Sequence, residues 1–294
     1  MKKLYIINNL GRRELFSRMK VYKSARRVGA SRKLAEEIAA VIEREVYSGM
    51  LTKEIFQRVE QILSKKYPRG GIRFRLREAM GRLGPSGFPF EKYIGGIFEQ
   101  LGFSVQLNQF IKGQCVSHEI DVLAKEKKYL LIGECKYHTL PGGRVDLKIG
   151  LNHYACFLDI ESGDFLKKAK LKNLKARPII VTNTKFTSKI IKYAECAGMD
   201  LLGWKYPQKR GLEYVIESEK FYPITILPSF KGELLEIFSR EKLMLVQDFL
   251  KLDVSKFSKK MKIAPKKLSA LKKEAEILLN EGFTSKKNAT ARRN

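Results

Sequence analysis

Residues 116–138 of the chain, VSHEIDVLAKEKKYLLIGECKYH, contain two largely apolar runs joined by a charged turn. The runs at 116–124 and 129–137 have the length of β-strands, and the charged residues at 125–128 favour a reversal between them. This stretch therefore predicts two consecutive strands that lie side by side.

The segments around this pair alternate between helical and strand patterns. Residues 89–103 predict a helix that ends at Gly102, and residues 147–160 predict a second helix. Residues 176–184 form an apolar run that predicts a strand, which leads into a helix at 188–197. Such an alternation is typical of a mixed α/β domain.

The first 84 residues have a different pattern, which is mainly helical. Residues 4–7 and 14–16 flank a turn and predict a small hairpin. Two amphipathic helices follow, with Ser31 and Thr52 as their N-caps, and a third short helix is expected at 73–83.

Gly84-Pro85-Ser86-Gly87 is the clearest boundary in the chain, because glycine and proline interrupt regular structure. Beyond Pro228 the pattern turns helical to about residue 280, and residues 283–294 predict a disordered basic tail. We therefore expect an N-terminal domain, a central α/β domain and a C-terminal helical segment, at residues 1–84, 85–228 and 229–294.

The composition is that of a folded and strongly basic protein. Hydrophobic residues make up 44% of the chain, and 58 Lys and Arg against 31 Asp and Glu give a net charge of +27. Such a charge attracts polyanions, above all the phosphate backbone of nucleic acids. A lysine-rich surface of the kind found in thermophiles is the alternative explanation.

We expect neither a membrane-spanning helix nor the features of a secreted protein. No apolar run is long enough to cross a bilayer, and Asn8 and Asn9 interrupt the first run before a signal-peptide core could form. The four cysteines are too few and too scattered for a disulfide framework. We therefore expect a cytoplasmic protein without membrane contact.

Two Cys-x-x-His spacings leave a zinc site as an alternative use of the central strands. They are Cys115 with His118 and Cys135 with His138. Residues three apart on an extended strand point to opposite faces, so each pair would need a turn where a strand is predicted. The spacing therefore disfavours zinc.

Acidic side chains share one face of the predicted strand pair. Because side chains alternate along a strand, Glu119 and Asp121 lie on one face, as do Glu134 and Lys136 on the next strand. A turn of two or four residues would set Asp121 opposite Ile132 and Glu119 opposite Glu134. Asp121 and Glu134 are then diagonal neighbours on one surface.

Carboxylates this close repel one another, so a cation is expected among them. Mg²⁺, or Mn²⁺ in its place, fits, because it takes one or two carboxylates together with waters and phosphate oxygens. Lys136 could hold or deprotonate the attacking water, and Glu91 lies on the preceding helix. The alternative is that these are solvent-facing strand residues, with Lys136 neutralising Glu134.

The order of these motifs resembles the PD-(D/E)xK core of Mrr-type restriction endonucleases over residues 85–205. The resemblance rests on Glu91, His118-Glu119-Ile120-Asp121, Gly133-Glu134-Cys135-Lys136 and the strand Ile179-Ile180-Val181-Thr182-Asn183. It implies that Asp121, Glu134 and the carbonyl of Cys135 bind the metal. It also implies that Lys136 is catalytic and that Glu91 completes the site.

The N-terminal region resembles the ATP-cone, a nucleotide-binding regulatory module. The matching residues are Ile6-Ile7-Asn8-Asn9-Leu10-Gly11, Glu14, Phe16, Lys20-Val21 and Thr52. The resemblance implies that Glu14, Lys20 and Thr52 contact ATP or dATP as an effector, although Asn8 stands where the pattern has lysine. A basic helical DNA-binding domain is the alternative.

Residues 243–279 resemble helix-hairpin-helix DNA-binding units, with Lys262-Ile263-Ala264 in place of a glycine-rich turn. A plain packing pair of helices is the alternative.

We therefore expect a metal-dependent endonuclease that hydrolyses phosphodiester bonds of double-stranded DNA, of restriction type and regulated by a nucleotide. A non-catalytic, nucleotide-responsive DNA-binding protein and a junction resolvase are the alternatives, and homo-oligomerisation stays open.

Overall fold

The computed structural model describes residues 4–84, 87–139, 142–168, 171 and 173–280. Its helices and strands, in chain order, are β1 (Tyr5–Ile7), β2 (Arg13–Leu15), α1 (Arg18–Arg27), α2 (Arg32–Glu45), α3 (Thr52–Lys66), α4 (Pro68–Phe74), α5 (Leu76–Gly81), α6 (Phe88–Gln100), β3 (Ser104–Lys112), β4 (Ser117–Lys125), β5 (Tyr129–Lys136), β6 (Arg144–Val145), α7 (Leu147–Ser162), β7 (Lys175–Thr182), β8 (Lys185–Phe186), α8 (Ser188–Ala197), β9 (Asp200–Leu202), α9 (Leu212–Glu219), α10 (Leu235–Arg240), α11 (Val246–Leu250), α12 (Val254–Met261) and α13 (Pro265–Leu279).

These elements form two compact units. The first comprises the residues up to Leu76, Ile226–Ser229 and the chain from Leu252 onward, and the second comprises Arg77–Thr225 and Phe230–Lys251. The three predicted segments do not coincide with these units. Helix α13 packs on α4, and α12 and α13 belong to the first unit, whereas α10 and α11 belong to the second.

The first unit is built on the hairpin and the amphipathic helices that the apolar spacing predicts. β1 pairs antiparallel with β2, and the neighbouring helices enclose a core in which Ile38, Ile42 and Leu63 are fully buried. Ser31 caps α2, since its Oγ accepts the backbone N–H of Leu34 at 3.1 Å. The predicted hairpin and the capped helix are confirmed.

Two details of the N-terminal prediction are wrong. Thr52 is the first residue of α3 and not its cap; Leu51 holds the cap position, and its N–H donates to Glu54 Oε2 at 2.9 Å. The single helix predicted at 73–83 is replaced by α4 and α5. Pro68 opens α4 because proline is tolerated in the first turn of a helix, where its missing N–H has no partner to lose.

The second unit contains a five-stranded mixed sheet with the order β3-β4-β5-β7-β9. The neighbours β3, β4 and β5 are antiparallel, whereas β5, β7 and β9 are parallel. Ile120 and Ile132 of the sheet form a buried core with Phe157 and Ile160 of α7, and α6 packs on β3 and β4. The predicted α/β class is confirmed.

The two central strands are present, but their predicted register is wrong by two residues. Leu123, not Asp121, pairs with Ile132. The backbone N–H of Glu126 donates to the carbonyl of Tyr129 at 2.9 Å, so the reversal is centred one residue later than expected. A shift of two residues keeps every side chain on its predicted face.

Strand β3 is an element that the sequence pattern did not predict. It forms the edge of the sheet beside β4, and its burial is incomplete, with Phe110 75% exposed. An edge strand with polar residues on both faces gives no apolar run of its own.

Within the described residues, no helix combines the length and the apolar character needed to cross a membrane. The predicted basic tail at 283–294, like Pro85 and Ser86 of the predicted boundary, lies outside the described residues.

Candidate active site

A cavity of about 590 Å³ lies in the second unit, where β4 and β5 separate. The two strands pair from Val122 and Gly133 to Lys125 and Leu130, whereas β4 extends back to Ser117 beside β3 alone. The cavity is lined by residues on or next to α6, β4, β5 and α7, namely Gly87, Glu91, Ser117, His118, Glu119, Asp121, Glu134, Cys135, Lys136, Tyr137, Asn152 and Cys156.

Asp121 and Glu134 stand where the strands part. Val122 pairs with Gly133, so Asp121 and Glu134 are the next residues along the two strands. Gly133 permits this close approach, because a Cβ there would lie 2.9 Å from the carbonyl oxygen of Val122. The backbone N–H of Cys135 donates to Asp121 Oδ2 at 2.7 Å, which fixes the carboxylate toward the second strand.

The surroundings of Asp121 disfavour the ionised form of its carboxyl group. Its pKa is raised to about 7, first by burial and then by the negative charge of Glu134, while the hydrogen bond from Cys135 opposes the shift. A cation placed beside the carboxylate would favour the charged form again.

Glu91 reaches the same cavity from the first turn of α6. Its Oε2 accepts a hydrogen bond from Nδ2 of Asn108 at 2.9 Å. Burial raises the pKa of Glu91, an effect that the Asn108 hydrogen bond opposes. Asn108 lies on β3 with a φ of 51°, a left-handed conformation that asparagine tolerates better than most residues.

Lys136 is ion-paired with Glu134, and the two side chains are 38% and 20% exposed. Burial lowers the pKa of Lys136, but the hydrogen bond and the charge of Glu134 outweigh burial, so the pKa is raised overall. Lys136 is therefore a charged ammonium group in the cavity. The next residue, Tyr137, anchors this end of β5 by donating its hydroxyl to the carbonyl of Gly81 at 2.7 Å.

The zinc alternative finds no support in the described part of the chain. His118 Nε2 bonds to Asp159 at 2.7 Å, and His138 Nδ1 lies 3.2 Å from the hydroxyl of Thr184. Over the same residues, no three His, Cys, Asp or Glu side chains are arranged as a ready-made metal cluster.

A second cavity, of about 200 Å³, lies in the first unit and is mostly apolar. Glu14, Lys20 and Thr52, the three residues predicted to contact a nucleotide, all line it. Lys20 Nζ is 3.9 Å from Glu14 Oε1, and the Thr52 hydroxyl donates to the carbonyl of Ile7 at 3.1 Å. Asn8 instead stabilises the hairpin turn, where its Oδ1 accepts the backbone N–H groups of Leu10 and Arg12.

Sequence reasoning missed several residues that line the larger cavity or hydrogen-bond to its lining side chains. Asn108 depends on a local backbone conformation that no sequence pattern announces. Asn152, Cys156 and Asp159 carried a usable signal, since polar residues at spacings of four and three share one face of α7. The first two line the cavity, and the third holds His118.

The fold and the cavity define a mixed α/β protein with an acidic site at the parting of two strands. The family model "AF1548-like, C-terminal" matches residues 222–279. A relative from Archaeoglobus fulgidus, described as an uncharacterized protein, is 40% identical over 152 residues, which is 52% of this chain and 80% of the relative.

The chain is also similar to a solved structure of the same family. The crystal structure of the protein of unknown function AF1548 is 33% identical, with a TM-score of 0.55, over 64% of this chain and 96% of that one. The chain therefore belongs to the AF1548-like family.

Proposed function

We propose that the second unit is a metal-dependent DNA endonuclease of the PD-(D/E)xK type. The observation that carries the proposal is the convergence of Glu91, Asp121, Glu134 and Lys136 on one cavity. These residues come from a helix and two strands, in the order that the resemblance to Mrr-type enzymes requires.

The donor set suits a hard divalent cation. Mg²⁺ needs only one or two protein carboxylates, because waters and substrate phosphates complete its coordination. Asp121, Glu134 and the carbonyl of Cys135 would hold it, which is consistent with the absence of a ready-made three-residue cluster from the described residues. Bound there, the ion would polarise a phosphodiester and lower the pKa of a water.

Side chains of the protein would supply charge stabilisation, proton transfer and DNA binding. The charged Lys136 supports stabilisation of the negative charge that develops on phosphorus-bound oxygens. The raised pKa of Glu91 suits a carboxyl that takes or gives a proton at the edge of the cavity. The net charge of +27 supports capture of the DNA backbone.

Plasmid cleavage tests the proposal. Supercoiled DNA is incubated with the purified protein in Mg²⁺ or in EDTA, and nicked and linear products are counted. We expect the wild type to cleave the plasmid in Mg²⁺ but not in EDTA. We expect the Asp121→Asn and Glu134→Gln variants not to cleave it in either condition. Glu126→Gln is the matched control, because Glu126 is an exposed carboxylate in the turn between β4 and β5, outside the cavity. DNA binding without cleavage by the wild type would favour the non-catalytic alternative, and cleavage confined to branched substrates would favour a resolvase.

We further propose that the first unit binds ATP or dATP as an effector. The gathering of Glu14, Lys20 and Thr52 around one cavity supports this role. The cavity is smaller than the roughly 300 to 1,000 Å³ of typical ligand sites, so only part of a nucleotide fits inside it. Calorimetric titration of ATP into the wild type and Lys20→Met tests the proposal, and an absence of heat from the wild type would contradict it.

A further inference from the structure

Asn108 occupies an irregular position on the edge strand of the sheet. Strands β3 and β4 pair in one register on both sides of Asn108, which sets Asn108 across from Asp121. The φ of Asn108 is 51°, in the left-handed region, which residues other than glycine rarely adopt. An unusual backbone conformation therefore lies directly across from a carboxylate of the candidate active site.

The irregular backbone also separates two parts of β3 that pack differently. Leu107 packs on α6, since a Cβ at Gly95 would lie 3.0 Å from Leu107 Cδ2. Ile111 instead shares a core cluster with Phe157 of α7. Residues four apart lie on the same face of a regular strand, yet Leu107 and Ile111 pack on different helices, with Asn108 between them. A test of the Asn108 side chain must therefore preserve its backbone conformation.

The side chain of Asn108 holds one of the two carboxylate oxygens of Glu91. Asn108 Nδ2 donates to Glu91 Oε2 at 2.9 Å. The other oxygen, Oε1, lies toward Gly87, because a Cβ on Gly87 would be 3.5 Å from it. Gly87 and Glu91 both line the cavity, whereas Asn108 is not among its described lining residues. Asn108 therefore acts on the cavity through Glu91.

The acidic neighbours of Glu91 give this hydrogen bond a function. Burial and the negative charges of Glu119 and Glu134 raise the pKa of Glu91, whereas the hydrogen bond from Asn108 opposes that rise. A glutamate side chain has several rotatable bonds, so repulsion by like charges favours orientations that turn the carboxylate away from the cavity. A neutral amide donor opposes this movement without adding a positive charge that would compete with a metal ion.

We propose that Asn108 is a positioning residue of the candidate active site, which holds the Glu91 carboxylate with Oε1 toward the cavity. The effect of Asn108 on cleavage rests on the proposed function, whereas its contact with Glu91 can be tested without metal or DNA. Cleavage and contact are therefore measured separately.

Asn108→Gly removes the side chain and keeps the backbone conformation, because glycine adopts left-handed φ values without steric cost. Single-turnover cleavage of supercoiled plasmid is measured in Mg²⁺, and affinity for a fluorescent DNA duplex is measured in EDTA. We expect the cleavage rate to fall about tenfold to 100-fold, the scale of a misplaced catalytic group. The affinity for DNA should stay that of the wild type.

Thermal unfolding separates this role from a structural one. The melting temperature of Asn108→Gly should stay within about 4 °C of the wild type, because the lost hydrogen bond and the relieved backbone strain oppose each other. Lys242→Gly is the matched control, since Lys242 is an exposed residue of the same unit with a φ of 57° and lies outside the cavity. This control should cleave at the wild-type rate.

Exchanging the two partners tests the contact itself. Asn108→Asp keeps the shape of the side chain and tolerates a left-handed φ, but an ionised aspartate cannot donate; Glu91→Gln then supplies the donor. In EDTA at pH 8, we expect Glu91→Gln to raise the melting temperature about 2 to 4 °C more in the Asn108→Asp protein than in the wild type. An inactive wild-type nuclease would overturn the proposed function, and these melting temperatures would still decide whether Asn108 holds Glu91.

A wild-type cleavage rate in a folded Asn108→Gly protein would overturn the proposal, as would an equal loss of rate in Lys242→Gly. Equal gains from Glu91→Gln in the two backgrounds would overturn it too, since the two side chains would then not interact. If Asn108→Gly fails to fold, Asn108→Asp takes its place in the cleavage assay, where a reduced rate supports the proposal and a wild-type rate contradicts it.

Discussion

Replacing Asp121 with asparagine should stabilise the metal-free protein at alkaline pH, although it removes a residue of the candidate site. The pKa of Asp121 is about 7 in the folded protein against 3.8 for the free side chain. The folded state therefore binds a proton more tightly than the unfolded state. Stability falls as pH rises between these two values, and the destabilisation is complete above pH 7.

The size of the effect follows from the shift. At about 1.4 kcal/mol for each pKa unit, ionisation of Asp121 costs at most about 4 kcal/mol at pH 8. Asp121 is partly exposed, and solvent screens its repulsion by Glu134, so we expect roughly half of that value. Asparagine keeps the acceptor for the Cys135 N–H and lacks the charge.

Thermal unfolding in EDTA measures the prediction. Asp121→Asn should raise the melting temperature at pH 8 by roughly 4 to 8 °C, about twice the gain at pH 5.5. Adding Mg²⁺ should narrow the gap, because a bound cation stabilises the wild type alone. The reasoning would be refuted if Asp121→Asn melted at or below the wild-type temperature at pH 8, or if the difference between the two melting temperatures were the same at both pH values. The control Glu126→Gln should melt at the wild-type temperature at both pH values.

Three further predictions concern the other parts of the chain. Lys136→Met should abolish plasmid cleavage while the protein still binds duplex DNA, and full cleavage would remove Lys136 from the site. Lys20→Met should leave the melting temperature unchanged, because the Lys20 side chain is 71% exposed, but should weaken ATP binding in calorimetry; identical heats would count against the effector site. Leu271→Ala should destabilise the protein by about 2 to 5 kcal/mol in urea unfolding, since Leu271 is fully buried in α13, and a loss under 1 kcal/mol would contradict that packing.

Much of the central domain could be predicted because its elements carry strong local patterns. The apolar runs before and after the Glu126 turn, and the helices on both sides of β7, have the length and the periodicity that identify them. Alternation along the strands also placed Asp121 and Glu134 on one surface. Their register was wrong because a reversal made only of charged residues does not indicate where its centre lies.

Features that depend on tertiary contacts were beyond the sequence. The packing of α13 on α4 accompanies the assignment of α12 and α13 to the first unit, and no linear pattern records it. Asn108 contacts Glu91 from a position with a left-handed backbone conformation, and Asp159 contacts His118 from the last turns of α7. These residues belong to the site through the fold and not through a motif.

The most direct test of the central claim is a double-mutant cycle on metal-dependent cleavage. Single-turnover rates on duplex DNA in Mg²⁺ are measured for the wild type, Asp121→Asn, Glu134→Gln and the double variant. If both carboxylates hold one ion, each single change should lower the rate by at least about 100-fold, and the double variant should be no slower than the slower single variant. Losses that multiply, or a single variant with wild-type activity, would contradict a shared metal site.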